Sequence, residues 1–193
     1  MNIMYDEKNH SYLEGQLLIA TPSMTDPRFE KAVILICAHN TEGAMGIIIN
    51  KLFTDIDFKE LLSELEITSK EYTEKLDIYF GGPVELGHGF VLHSKETLFE
   101  GSFPINDHIS LNTSIDMIRR LATGNGPENA LLALGYAGWG AGQLEEELIQ
   151  NSWLHAPYNT SLVFCTNIKD KWQNALNSIG VKLSTLSDTI GRA

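Results

Sequence analysis

Apolar positions along this chain fall into short runs separated by Gly, Pro, Asn and Asp rather than into long stripes. Residues 32–39 and 44–50 are near-continuous apolar runs joined by Asn40-Thr41-Glu42-Gly43. That pattern predicts an antiparallel hairpin with both strands largely buried. Shorter runs predict strands at 16–20, 77–80, 89–93, 97–99, 109–111, 153–154 and 161–165. Outside residues 134–148, helical spacing appears three times. Phe58, Leu61, Leu62 and Leu65 make one inner face, with Asp55 or Asp57 as cap. Ile115, Ile118, Leu121 and Ala122 make a second, capped by Asn112 or Thr113 and stopped by Gly124. Trp172, Leu176 and Ile179 make a third, closed by Gly180. Helices and strands are mixed without strict βαβ alternation, which predicts an α+β fold on a mixed, mostly antiparallel sheet.

Residues 134–148 organise the pattern. An apolar run, 130–134, enters a stretch holding Gly135, Gly138, Gly140 and Gly142, and Leu144 and Leu148 follow at helical spacing. This reads as strand, glycine loop and helix. A phosphate loop would need a lysine and a Ser/Thr where Gln143 and Leu144 stand. Glu145, Glu146 and Glu147 also fill the first helical turn, where they complement the helix dipole and repel a phosphate. The glycines therefore predict close backbone packing under Tyr136 and Trp139, and the three glutamates a solvated face.

Charge narrows the function. With 14 basic and 25 acidic residues the net charge is −11, and Arg119-Arg120 is the only adjacent basic pair. Direct nucleic-acid binding is disfavoured. The apolar fraction of 43% over 193 residues supports a single packed domain, with residues 1–14 as a loose polar arm and residues 15–193 as the domain. The polar start resembles no signal peptide and no apolar run approaches ~20 residues, so a soluble, cytoplasmic protein without membrane contact is expected. Cys37 and Cys165 both sit in apolar runs and are expected as buried thiols.

No histidine stands in a metal-ligand spacing, and neither GxSxG nor Ser-x-x-Lys is present. No metal or cofactor is expected. His39 and His93 each close an apolar strand, the position from which a base could act. If the strand-end loops converge, they form a pocket of Thr21, Asp26, His39, Asn40, Asn50, Gly81, Gly82, His93, Gly138 and Gln143.

Several blocks carry a resemblance: residues 15–22, Asp26-Pro27-Arg28-Phe29, residues 39–46, Asn50-Lys51, Phe80-Gly81-Gly82-Pro83-Val84, residues 89–93, residues 134–147, Asn151-Ser152-Trp153-Leu154 and Gly191-Arg192-Ala193. In that order they resemble the YqgE/AlgH family of bacterial proteins over nearly the whole chain. The resemblance implies a cytosolic α+β domain whose bifurcated sheet folds into a pseudo-barrel around helices. It brings no agreed catalytic residues, and one branch of the family is labelled a transcriptional regulator of alginate synthesis. The leading expectation is a non-catalytic regulatory or small-ligand-binding module, with a small molecule or a protein as partner. A hydrolase using His39 or His93 is the alternative, and a DNA-binding regulator is disfavoured by charge.

Overall fold

The computed structural model describes residues 12–69 and 76–181. Most of the expected arm, the polar segment through Lys75 and the C-terminal Gly191-Arg192-Ala193 block lie outside the described residues. Among the described residues, nine strands and four α-helices follow in the order β1 (Leu17–Ala20), β2 (Val33–Asn40), β3 (Gly43–Ile48), α1 (Phe58–Glu64), β4 (Ile78–Phe80), β5 (Val84–Ser94), β6 (Ser102–Pro104), β7 (Ile109–Asn112), α2 (Ile115–Thr123), β8 (Ala130–Gly140), α3 (Gln143–Ile149), β9 (Trp153–Ala156) and α4 (Ile168–Ser178). The fold is α+β. No helix among the described residues is long and apolar enough to cross a membrane.

The strands form one nine-stranded sheet in the order β6-β7-β5-β8-β3-β2-β1-β9, and β4 joins it by pairing with β8. Every pairing is antiparallel except β4 with β8. The sheet bifurcates along β8. Leu132, Ala133 and Leu134 of β8 pair with β5 and with β4, whereas Ala137 to Gly140 pair with β3. The curled half-barrel that results buries three apolar clusters. One lies under α4, with Leu17, Leu35, Leu92, Trp172 and Leu176. A second holds the inner faces of α1 and α2 against Val91 and Leu132. The third seats α3 through Leu144 on Leu18, Ile34, Ile36 and Trp153.

The hairpin forms as its apolar runs require, with Asn40 opposite Gly43 and Leu35 opposite Ile47. Asp57 and Glu60 build a capping box at α1, and Gly124 closes α2 in the left-handed conformation. The α2 cap is Ser114, because Asn112 spends its side-chain oxygen on the Ser114 amide and hydroxyl.

Three elements differ from expectation. The glycine stretch is not a loop: β8 continues for 11 residues, through Gly135, Gly138 and Gly140, and only Ala141-Gly142 turns. Glycine is needed at Gly82 and Gly135 because two backbones nearly touch there. A Cβ on Gly82 would lie 2.1 Å from the Tyr136 carbonyl carbon, and one on Gly135 2.4 Å from the Gly82 oxygen. Residues 161–165 form a π-helical turn rather than a strand, which leaves Cys165 exposed instead of buried. Finally, residues 97–99 are not a strand. The edge strand is β6, three residues later, paired through Ser102 to Asn112.

Candidate functional site

The end of β2 carries His39, whose ring is 3% exposed and whose two nitrogens are both engaged. The Leu13 amide donates to Nδ1 at 3.0 Å, so that nitrogen holds a lone pair. Nε2 therefore carries the proton and donates to Oε1 of Glu145 on α3 at 2.9 Å. Tyr12 stands edge-on to the imidazole at 5.1 Å. Leu13 is itself buried, so the described residues just before Gly15 are fastened to the core at this point.

These residues floor a cleft of about 640 Å³ between α3 and the edge strand β9. Its walls are apolar, from Leu148, Ile149, Trp153, Leu154 and Ile179, and its polar members are His39, Glu145, Asn151 and His155. His155 donates from Nδ1 to Gln16 Oε1 at 3.0 Å, which leaves Nε2 as an acceptor. Glu145 turns one oxygen to His39, and among the described residues its other oxygen has no partner. The cleft thus combines apolar walls with acceptors from Glu145 and His155.

The three glutamates are not a uniform solvated face. Glu147 Oε2 accepts the indole N–H of Trp139 at 2.9 Å and that of Trp153 at 2.7 Å, and its Oε1 accepts from Gln143. Together they fix α3 over the cleft.

The ten residues expected to share a pocket are spread over the sheet. Thr21 donates to the Asn151 carbonyl, beside the end of β1. Asn50 bridges the Val33 amide and the Lys31 carbonyl, and Asp26 pairs with the adjacent Arg28, which holds its carboxyl below the usual range. These three lie near Val33, about 20 Å along β2 from His39 at ~3.3 Å per residue. Asn40 accepts from the Glu42 amide in the hairpin turn. Gln143 accepts from the Gly140 amide. Asn40 and Gly138 line a shallow depression of about 480 Å³ next to Trp139. Gly81 and Gly82 are buried against β8. His93, opposite Ala130, is at the other end of β8. The convergence of loops is therefore partial: His39, Asn40, Gly138 and Gln143 share one end of the sheet, and the other six do not. Glu145, His155 and Trp153 were missed. The only signal available for Glu145 was its place in the first turn of α3, because its partner is 106 residues distant.

The comparisons with known proteins place this architecture. The AlgH-like family model matches residues 17–184. The chain belongs to that family. It is 47% identical to a UPF0301 protein of Bradyrhizobium over 97% of this chain and 91% of the relative. A UPF0301 protein of Rhodospirillum rubrum is 44% identical over 97% of both chains. The solution structure of the AlgH protein from Pseudomonas aeruginosa superposes with a TM-score of 0.78 at 36% identity, covering 97% of this chain and 99% of that one. A crystal structure from Corynebacterium diphtheriae, with a TM-score of 0.68 at 21% identity over 86% of each chain, shares the fold.

Proposed function

We propose that this AlgH-like chain is a small-ligand-binding module whose ligand is an apolar molecule carrying a protonated amine. The observation that supports this is the pairing of a Glu145 oxygen, without a partner among the described residues, with apolar walls in a cleft of about 640 Å³. That volume and lining suit a small molecule held by a few oriented polar groups. His39 supports the reading by holding Glu145 in place, and a base role for His39 is disfavoured because Nδ1 is occupied by Leu13. An overall charge of −11 favours a cationic head group.

Direct DNA binding finds little support. Arg119 pairs with Asp116 and Arg120 lies over the Phe99 ring, so the only adjacent basic pair is already engaged.

Mass spectrometry of natively purified protein tests the binding reading. Wild type is expected to carry a reproducible small-molecule adduct that Leu148→Trp, which fills the cleft, loses. An adduct retained by Leu148→Trp would place the ligand elsewhere.

A further inference from the structure

A second constellation lies at the opposite edge of the sheet, on β5, β6 and β7. His93 is 1% exposed. Its Nδ1 lies 2.9 Å from the Ser94 carbonyl oxygen, and a carbonyl only accepts, so Nδ1 bears the proton. Nε2 is then a bare lone pair, and it lies 2.8 Å from Ser102 Oγ. The hydrogen between them belongs to the serine. Ser102 thus aims its hydroxyl proton at an imidazole whose tautomer is set from behind, the arrangement that activates a serine nucleophile. Here a backbone carbonyl stands where a triad has its carboxylate.

Two neighbours fix the pair. Asn112 donates from Nδ2 to Ser102 Oγ and to the Glu100 carbonyl, both at 3.0 Å, while its oxygen is held by Ser114. Phe99 stands perpendicular to the imidazole at 5.5 Å, with Arg120 across the ring. Ser102 is half-buried, and its neighbours Gly101 and Asn112 line a cleft of about 630 Å³. Ser114, Thr123 and Asn125 give the cleft a polar wall, in which Arg119 and Arg120 stand with Glu100 and Asp116. Such a lining suits a short polar acyl group and not a lipid chain.

We propose that Ser102 is a nucleophile, with His93 as its base, that hydrolyses short-chain polar esters bound in this cleft. Ser102 Oγ bonds to the ester carbonyl carbon as its proton passes to His93 Nε2. The carbon–alkoxy bond then breaks, and the alcohol leaves with that proton. Water, deprotonated by His93, attacks the acyl-serine, and the carboxylic acid leaves as Ser102 regains its hydrogen. No oxidant, metal or second substrate beyond water enters the balance.

The test is labelling of the full chain with a fluorophosphonate, read by intact mass and peptide mapping, beside hydrolysis of p-nitrophenyl acetate and decanoate. One adduct on Ser102 is expected, absent from Ser102→Ala, with acetate cleaved faster than decanoate and the rate lowered about 100-fold in His93→Gln. Because His93 is buried, a second variant guards against misfolding. In Ser102→Cys, the introduced thiol should react with iodoacetamide at pH 7 faster than the exposed Cys165 of the same chain. An unlabelled wild type, an adduct that survives Ser102→Ala, or an introduced thiol no faster than Cys165 would each overturn the proposal.

Discussion

Trp139 and Trp153 donate their indole N–H groups to the same carboxylate oxygen, Oε2 of Glu147, at 2.9 and 2.7 Å. The rings meet edge to face at 6.1 Å. One comes from the end of β8, where it pairs with Ala44 of β3, and the other from the edge strand β9, so a single side chain of α3 locks two distant strands. The lock also forms one wall of the cleft at His39 and Glu145, through Trp153.

Removing that carboxylate leaves two buried indole donors without partners. Glu147→Ala is expected to lower stability by about 3 kcal/mol, and Glu147→Gln by about half as much, since an amide oxygen still accepts. Urea denaturation followed by tryptophan fluorescence measures both. Equal stability of Glu147→Ala and wild type would show that the indoles find other acceptors.

The glycines of β8 and its neighbour differ in what they permit. Gly82→Ala sets a Cβ into the Tyr136–Ala137 backbone at 2.1–2.3 Å, where nothing flexible can yield. Gly138→Ala meets only the Tyr136 ring, at 3.2 Å. The first is expected to cost about 3 kcal/mol or more and the second under about 1 kcal/mol. Thermal unfolding of the two variants compares them directly.

The same glycines explain where the sequence was legible. Asn40-Thr41-Glu42-Gly43 between two apolar runs specified the hairpin, and Asp57 and Gly124 marked helix ends, because those signals are local. Gly135, Gly138 and Gly140 read as a loop because glycine normally weakens a strand. Here β8 needs Gly135 because the Gly82 backbone passes against it, a contact between segments about 50 residues apart, which no local pattern reveals. The run at 161–165 was too short for its period to separate strand from π-turn. For the site, strand-end position flagged His39 and His93, but their partners Glu145 and Ser102 come from α3 and from an edge strand of three residues. Asn50 and Thr21 were read as pocket members, whereas their polar atoms are taken up by backbone groups.

Among the described residues Lys171 is the one charged side chain that is fully buried, and it gives the fold a pH dependence. Its ammonium donates to the Ile49 and Val163 carbonyls and lies 5.5 Å from the Tyr79 ring, with burial lowering its pKa from 10.5 to about 8. Between those values the unfolded chain binds more protons than the folded one, so this group adds stability as pH rises from about 8 toward 10.5 and withdraws it as pH falls. Wild type minus Lys171→Met, measured by urea unfolding across pH 7–10.5, is expected to rise over that window by roughly 3 kcal/mol. A flat difference would mean that the ammonium is as well solvated in the fold as in water.

The central claim is that the cleft at His39 and Glu145 holds an apolar amine. Calorimetric titration of an aralkyl amine, against the carboxylic acid of the same skeleton, tests it most directly. One-site binding of the amine, no heat from the acid, and affinity about 10–100-fold weaker in Glu145→Gln are expected from loss of a charge-assisted hydrogen bond. Equal binding of amine and acid, or an affinity unchanged by Glu145→Gln, would contradict it.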